Sequence, residues 1–176
     1  MIAPTTSTSR CPRPWTTFVR SYGAHGEGDT MARYVTRVRT PLAAEEAFAY
    51  MADLRRFAEW DPGVRRVAQV KGDGGGPEAV FDVTVATLGP DLTLRYATTE
   101  YDAPRSFRVV ATSAFFTSDD RIRVETKRGQ TIVTYDAELR LNGPLGLFDP
   151  GLRLVFGWIG DRAAAGLREA LRGARA

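Results

Sequence analysis

From residue 33 the chain alternates in polarity residue by residue, the period of a half-buried strand. Residues 33–40 (Arg-Tyr-Val-Thr-Arg-Val-Arg-Thr) carry β-branched and aromatic side chains in that pattern, and Pro41 ends the run. Over 43–52 the period lengthens, so that Ala47, Phe48 and Met51 fall on one side of a short helix. Asp53 is placed to cap a second short helix reaching Trp60, and Asp61-Pro62-Gly63 closes it. Six strand-like runs follow, at 64–70, 79–88, 92–101, 106–112, 118–127 and 131–141. Turn signals part them: Gly72 to Pro77, Gly89-Pro90-Asp91, Asp102-Ala103-Pro104 and Arg128-Gly129-Gln130. The 3.6-residue period then returns, with Leu152, Val155, Phe156, Ile159, Ala163, Leu167 and Leu171 on one face. Asp149-Pro150 opens this closing helix, an N-cap acid before the proline favoured at the first helical position.

No connection between these strands is long enough for a crossover helix, so the sheet is expected to be an antiparallel meander. The fold class is α+β: a seven-stranded antiparallel sheet gripping a long C-terminal helix, with two short helices after the first strand. An antiparallel sheet can leave one face in water, and the closing helix covers the other, with a cavity between them. Alternation turns Phe81, Val83 and Val85 inward, then Phe107, Val109 and Ala111, then Val133, Tyr135, Ala137, Leu139 and Leu141. In the fourth strand Leu92, Leu94, Tyr96, Thr98 and Glu100 share a face. If that face is the inner one, a phenol, a hydroxyl and a carboxylate enter the cavity.

Composition narrows the function classes. A hydrophobic content of 43% and a charged content of 26% suit one globular domain, placed at 31–176. No stretch approaches the ~18 to 20 apolar residues of a bilayer span. Lys+Arg number 24 against Asp+Glu 21, interspersed along the chain, which excludes a phosphate-binding stripe and with it nucleic acid. Even the run Asp119-Asp120-Arg121-Ile122-Arg123-Val124-Glu125 reads as a solvated face. The single Cys11 and single His25 precede residue 31, so the folded part has no disulfide, no Cys- or His-ligated metal and no Ser-His-Asp or Cys-His nucleophile. Any chemistry there proceeds without metal or organic cofactor, through carboxylates, tyrosines, lysine, arginine or hydroxyls. Residues 1–30, rich in Thr, Ser, Pro and Gly, are expected to be a disordered extension or sequence upstream of the true start at Met31.

Several segments together resemble a known family: Ala47-Phe48-Ala49-Tyr50-Met51-Ala52-Asp53, Glu59-Trp60-Asp61-Pro62-Gly63-Val64 and Leu88-Gly89. Further matches are Thr99-Glu100-Tyr101-Asp102-Ala103-Pro104-Arg105, Val133-Thr134-Tyr135-Asp136-Ala137-Glu138-Leu139 and Gly160-Asp161-Arg162-Ala163-Ala164-Ala165-Gly166-Leu167. In this order they resemble the polyketide cyclase/dehydrase-type proteins of the START-like, helix-grip (SRPBCC) superfamily. The resemblance spans about residues 31–173 and implies a hydrophobic cavity between sheet and helix. Members of the family bind lipids, sterols, polyketides and other apolar molecules, and a minority are cyclases, aromatases or dehydratases.

The expected function is binding of a small apolar or amphipathic molecule by a cytoplasmic protein, with the oligomeric state left open. The expected lining is Trp60, Phe81, Val83, Val85, Tyr96, Phe107, Val109, Tyr135, Leu139, Val155 and Ile159. The alternative is a cyclase or dehydratase acting on a poly-keto intermediate by acid/base catalysis, with Tyr96, Glu100 and Tyr135 as candidates. Glu100 in an apolar cavity would have a raised pKa, as a general acid or base needs. Asp120 is a lesser version of the same case. Trp60 fits either ligand contact or a plug between helix and sheet.

Overall fold

The computed structural model describes residues 31–87, 89–114, 116–142 and 149–173, with side chains of the last helix described over 157–172. The strands are β1 (Met31–Thr40), β2 (Val64–Lys71), β3 (Val80–Val85), β4 (Leu92–Asp102), β5 (Ser106–Thr112), β6 (Phe116–Lys127) and β7 (Gln130–Leu141). They form one antiparallel sheet in the order β1-β7-β6-β5-β4-β3-β2. The meander therefore runs from β2 to β7, and β1 adds to its far edge. Arg128 and Gly129, at φ of 53° and 73°, form the two-residue link between β6 and β7. Positive φ at both central residues matches the turn to the right-handed twist of the strands.

Helix α1 (Ala44–Ala52) is tied at its start by Glu46, whose carboxylate accepts from the Ala43 N–H at 3.1 Å. It buries Ala47, Phe48, Met51 and Ala52, and the Phe48 ring meets Tyr101 and Phe107 edge-on at 5.4 and 5.6 Å. A 3-10 turn (Leu54–Arg56) follows, capped by Asp53 accepting from the Arg55 N–H, and leads into α2 (Phe57–Trp60). The second short helix of the sequence reading is thus a 3-10 turn and one α-helical turn in series.

Helix α3 (Asp149–Gly173) lies against β1 and α2. Its buried stripe is Gly160, Ala163, Ala164, Leu167 and Leu171. A β-carbon at Gly160 would stand 2.5 Å from the Tyr34 ring, and one at Gly166 would overlap the Trp60 carbonyl oxygen. Only glycine permits so close an approach at these two points. The stripe is centred on these small residues, and this corrects the expected inward placing of Ile159. Ile159 is one residue, or about 100°, from Gly160, and it is 40% exposed. Trp158 beyond it is 61% exposed, with the Arg162 guanidinium 4.7 Å from its ring centre. The side chain of Val155, and the whole of residues 1–30, lie outside the described residues.

A second correction concerns Glu100. The β4–β5 register pairs Thr98 with Val109 and Glu100 with Arg108, which leaves Thr99 as an extra residue. This bulge reverses the parity of the strand. Glu100 joins the outer face, where Arg108 donates to it at 2.8 Å and Arg121 stands 3.8 Å away. Tyr101 takes the inner side instead, against Phe48. The outer face carries a ladder of cross-strand ion pairs: Arg95 with Asp82, Arg108 with Asp119, and Arg33 with Asp136. Among the described residues no helix is long and apolar enough to cross a membrane.

Candidate functional site

The chain from the end of α1 to α2 stands across the inner face of β5, β6 and β7 and leaves a small, partly open cavity there. Met51, Leu54, Phe57 and Trp60 line it from the helical side, and Val109, Ile122, Asp120 and Tyr135 from the sheet, with Asp53 between. The space open to the centre of a water molecule is 20 Å³, against the ~10–15 Å³ that one water needs. The cavity is thus large enough for a water or two. Its walls are aromatic: Trp60, 6% exposed, lies 4.6 Å from Phe57 and meets Tyr135 edge-to-face at 5.4 Å.

Asp120 is the chemical centre of this surface. In β6 the inward positions are Asp120, Ile122 and Val124, all buried, while Asp119, Arg121 and Arg123 face outward. Asp120 sits opposite Val109 of β5 and Ala137 of β7, and its diagonal neighbours include Ala111 and Tyr135. Two alanines beside it leave room for its carboxyl. It is 3% exposed, which corrects the reading of this run as a solvated face. Burial pushes its carboxyl up to about 7, while hydrogen bonding from Tyr135 and Ser118 pulls the other way. The charges of Asp119 and Asp61 add to the rise.

Three further groups share its field. The Tyr135 phenol is raised well above its ordinary value by burial and then by the Asp120 charge. Tyr96 of β4 is raised chiefly by burial and next by Asp120. Asp61, directly after Trp60, accepts from the Gly63 N–H at 2.8 Å; burial raises its carboxyl, opposed by that hydrogen bond and by Arg162. Both phenols therefore stay neutral donors at physiological pH. Asp120, its carboxyl pushed up to about 7, passes between donor and acceptor near neutrality, as acid/base work requires. Among the described residues no group of three or more His, Cys, Asp or Glu is placed to hold a metal ion.

The cavity expected between the sheet and the closing helix lies instead, among the described residues, under the segment 51–60, and of the residues expected as lining, Trp60, Val109 and Tyr135 border it. Tyr96 is buried beside them and coupled to Asp120. Phe81, Val83 and Phe107 are buried in the core without lining this cavity, and Val85 and Leu139 are half-buried. Glu100 and Ile159 face away. Sequence reasoning gave Asp61 no role and ranked Asp120 below Glu100. The signal for Asp120 was its parity with Ile122 and Val124, which a glance at the charge density of the run obscures.

A model of the family described as "Polyketide cyclase / dehydrase and lipid transport" matches residues 31–172. No curated protein matches the chain. Among solved structures, a protein from Thermus thermophilus is similar at 15% identity and a TM-score of 0.67, over 83% of this chain and 99% of that one. The Zhui aromatase/cyclase from Streptomyces sp. R1128 is similar at 15% identity and 0.65, over 82% and 93%. A START superfamily protein from Mycobacterium smegmatis gives 15% and 0.64, over 82% and 97%. At such identities the likeness is one of fold, the START-like helix grip. With the family match covering the whole sheet and nearly all of α3, the chain belongs to the polyketide cyclase / dehydrase and lipid transport family.

Proposed function

We propose that the protein, in the cytoplasm, binds a small hydrophobic or amphipathic molecule, lipid- or polyketide-like, between the sheet and its helical cover. The observation that carries this reading is a buried carboxyl and phenol, Asp120 and Tyr135, on the floor of a cavity walled by Trp60 and Phe57. Apolar walls with a few convergent polar groups are the usual make-up of a small-molecule site. The apolar body of the ligand gains about 25 cal/mol per Å² buried, before ordering costs. Its polar group meets Asp120 and Tyr135. At 20 Å³ the cavity is too small for such a ligand, so binding requires the segment 54–60 to move away from the sheet.

A second reading, a cyclase or dehydratase acting on a poly-keto intermediate, is favoured by one observation: a buried carboxyl, Asp120, pushed up to about 7 by its burial, stands beside the neutral phenol of Tyr135. In that reading Asp120 carries the proton and Tyr135 or Tyr96 donates to a carbonyl oxygen. The outward Glu100 has no part.

Nile red titrated into the full chain and into Val109→Trp tests the binding reading. The wild type should bind saturably and the filled variant at least about tenfold more weakly. Equal binding by both, or none by the wild type, would sink it. Asp120→Asn separates the two readings: an enzyme loses turnover on a poly-keto substrate with affinity largely kept, whereas a binder shows no turnover to lose.

A further inference from the structure

We infer that the ligand carries a basic nitrogen: the site takes an ammonium group on an apolar or aromatic body, an inference that rests on the binding reading above. The charged residues lining the cavity, Asp53 and Asp120, are both acids, and Asp61 adds a third carboxyl nearby. Asp53 already has its counter-charge, in Arg55 at 2.8 Å. Asp120 has none: among the described residues no lysine or arginine forms an ion pair with it. The arginines nearest in sequence and register, Arg108 and Arg121, lie on the opposite face of the sheet and are engaged with Glu100 and Asp119.

A buried carboxylate without a cation is costly, and a ligand that brings the cation removes that cost on binding. The walls suit the same group. Trp60, Phe57 and Tyr135 line the same cavity as the carboxyl, and aromatic rings attract a desolvated ammonium. An anionic head group meets the reverse situation, with Asp61 and Asp120 repelling it and no lining cation to receive it. A neutral alcohol or ketone can hydrogen-bond to Asp120 or Tyr135 but leaves the carboxylate uncompensated.

Protonation sets the pH dependence. The titratable groups around Asp120 are Tyr135 from β7, Tyr96 from β4, Asp61 from the end of α2, Asp53 across the cavity with its partner Arg55, and Asp119 on the other face of β6, held by Arg108. The phenols stay neutral, so Asp120 ionises through neutrality while the amine, with a pKa of about 10, keeps its charge.

The experiment titrates the full chain with naphthylethylamine, naphthylethanol and naphthylacetate, alike in body and different in charge. At about pH 8 the amine should bind at least tenfold more tightly than the alcohol, and the acid more weakly than both. Between about pH 6 and 8 the amine's affinity should rise roughly tenfold while the alcohol's does not. Asp120→Asn should abolish the amine's advantage over the alcohol, leaving the two within about twofold of each other at about pH 8. If that variant does not fold, the wild-type pH series decides alone. Alcohol binding equal to or tighter than amine binding, or a preference for the acid, overturns this inference and leaves the binding reading standing. If Nile red binds and none of the three probes does, this inference again falls alone. Silence from all four compounds removes the binding reading as well.

Discussion

A carboxyl 3% exposed at the floor of an apolar cavity alters stability as well as chemistry. The folded pKa of Asp120, about 7, lies above its ordinary value of 3.8, so the folded state holds a proton that the unfolded state releases. Its contribution to stability is therefore fully present below the unfolded value and is lost as pH rises to about 7, after which it is flat. Over that window the loss is on the order of a few kcal/mol. Asp119 and Asp82, held low by Arg108 and Arg95, act in the opposite sense and below the ordinary carboxylate range. Melting temperatures across pH 4 to 8 should accordingly fall more steeply for the wild type than for Asp120→Asn. Parallel curves for the two proteins would refute the buried-carboxyl assignment. Asp120 was legible in the sequence by parity alone, since Ile122 and Val124 fix the inner face of β6. Glu100 was not, because the bulge at Thr99 is decided by how β4 aligns with β5, which no property of β4 alone discloses.

Sequence periods located the helices and strands well, because each interruption was a proline, a glycine or a turn dipeptide with a definite backbone preference. They located the faces less well wherever small residues did the packing. The closing helix showed an apolar stripe through Ile159, yet its contact line follows Gly160, Ala163 and Leu167, since a hydropathy pattern gives little weight to glycine. The consequence is measurable at Gly166. Alanine in a helix interior gains about 1 kcal/mol over glycine in propensity, but here its methyl overlaps a backbone carbonyl that has no rotamer to adopt. Overpacking of this kind costs about 1–3 kcal/mol. With a rigid neighbour, we expect the high end of that range to prevail: Gly166→Ala should melt about 5 °C or more below the wild type. An unchanged or raised melting temperature would show that α3 stands further from α2 than described.

Taken together, the molecule separates its charges by face. The outer side of the sheet pairs acids with bases across adjacent strands, and the cavity on the inner side holds Asp120, hydrogen-bonded but without a counter-cation, among aromatic rings. The exposed pairs add little to stability, so the family fold rests on the core between sheet and helices. The β1–β7 pairing has a consequence for how that fold is reached. Met31 lies opposite Arg140 and Thr40 opposite Thr131, so the first strand to leave the ribosome waits for the last one. The hairpins from β2 to β7 close over short loops, whereas β1 must close a loop of roughly a hundred residues, an entropic cost met only late. Pulse-labelled hydrogen exchange during refolding should find the β5 and β6 amides protected before those of β1. The reverse order would mean that the long closure comes first. Until it is complete, β7 presents an open edge, and a second copy's β1 satisfies it as well as the chain's own. Strand exchange between molecules that refold at high concentration is therefore built into this strand order.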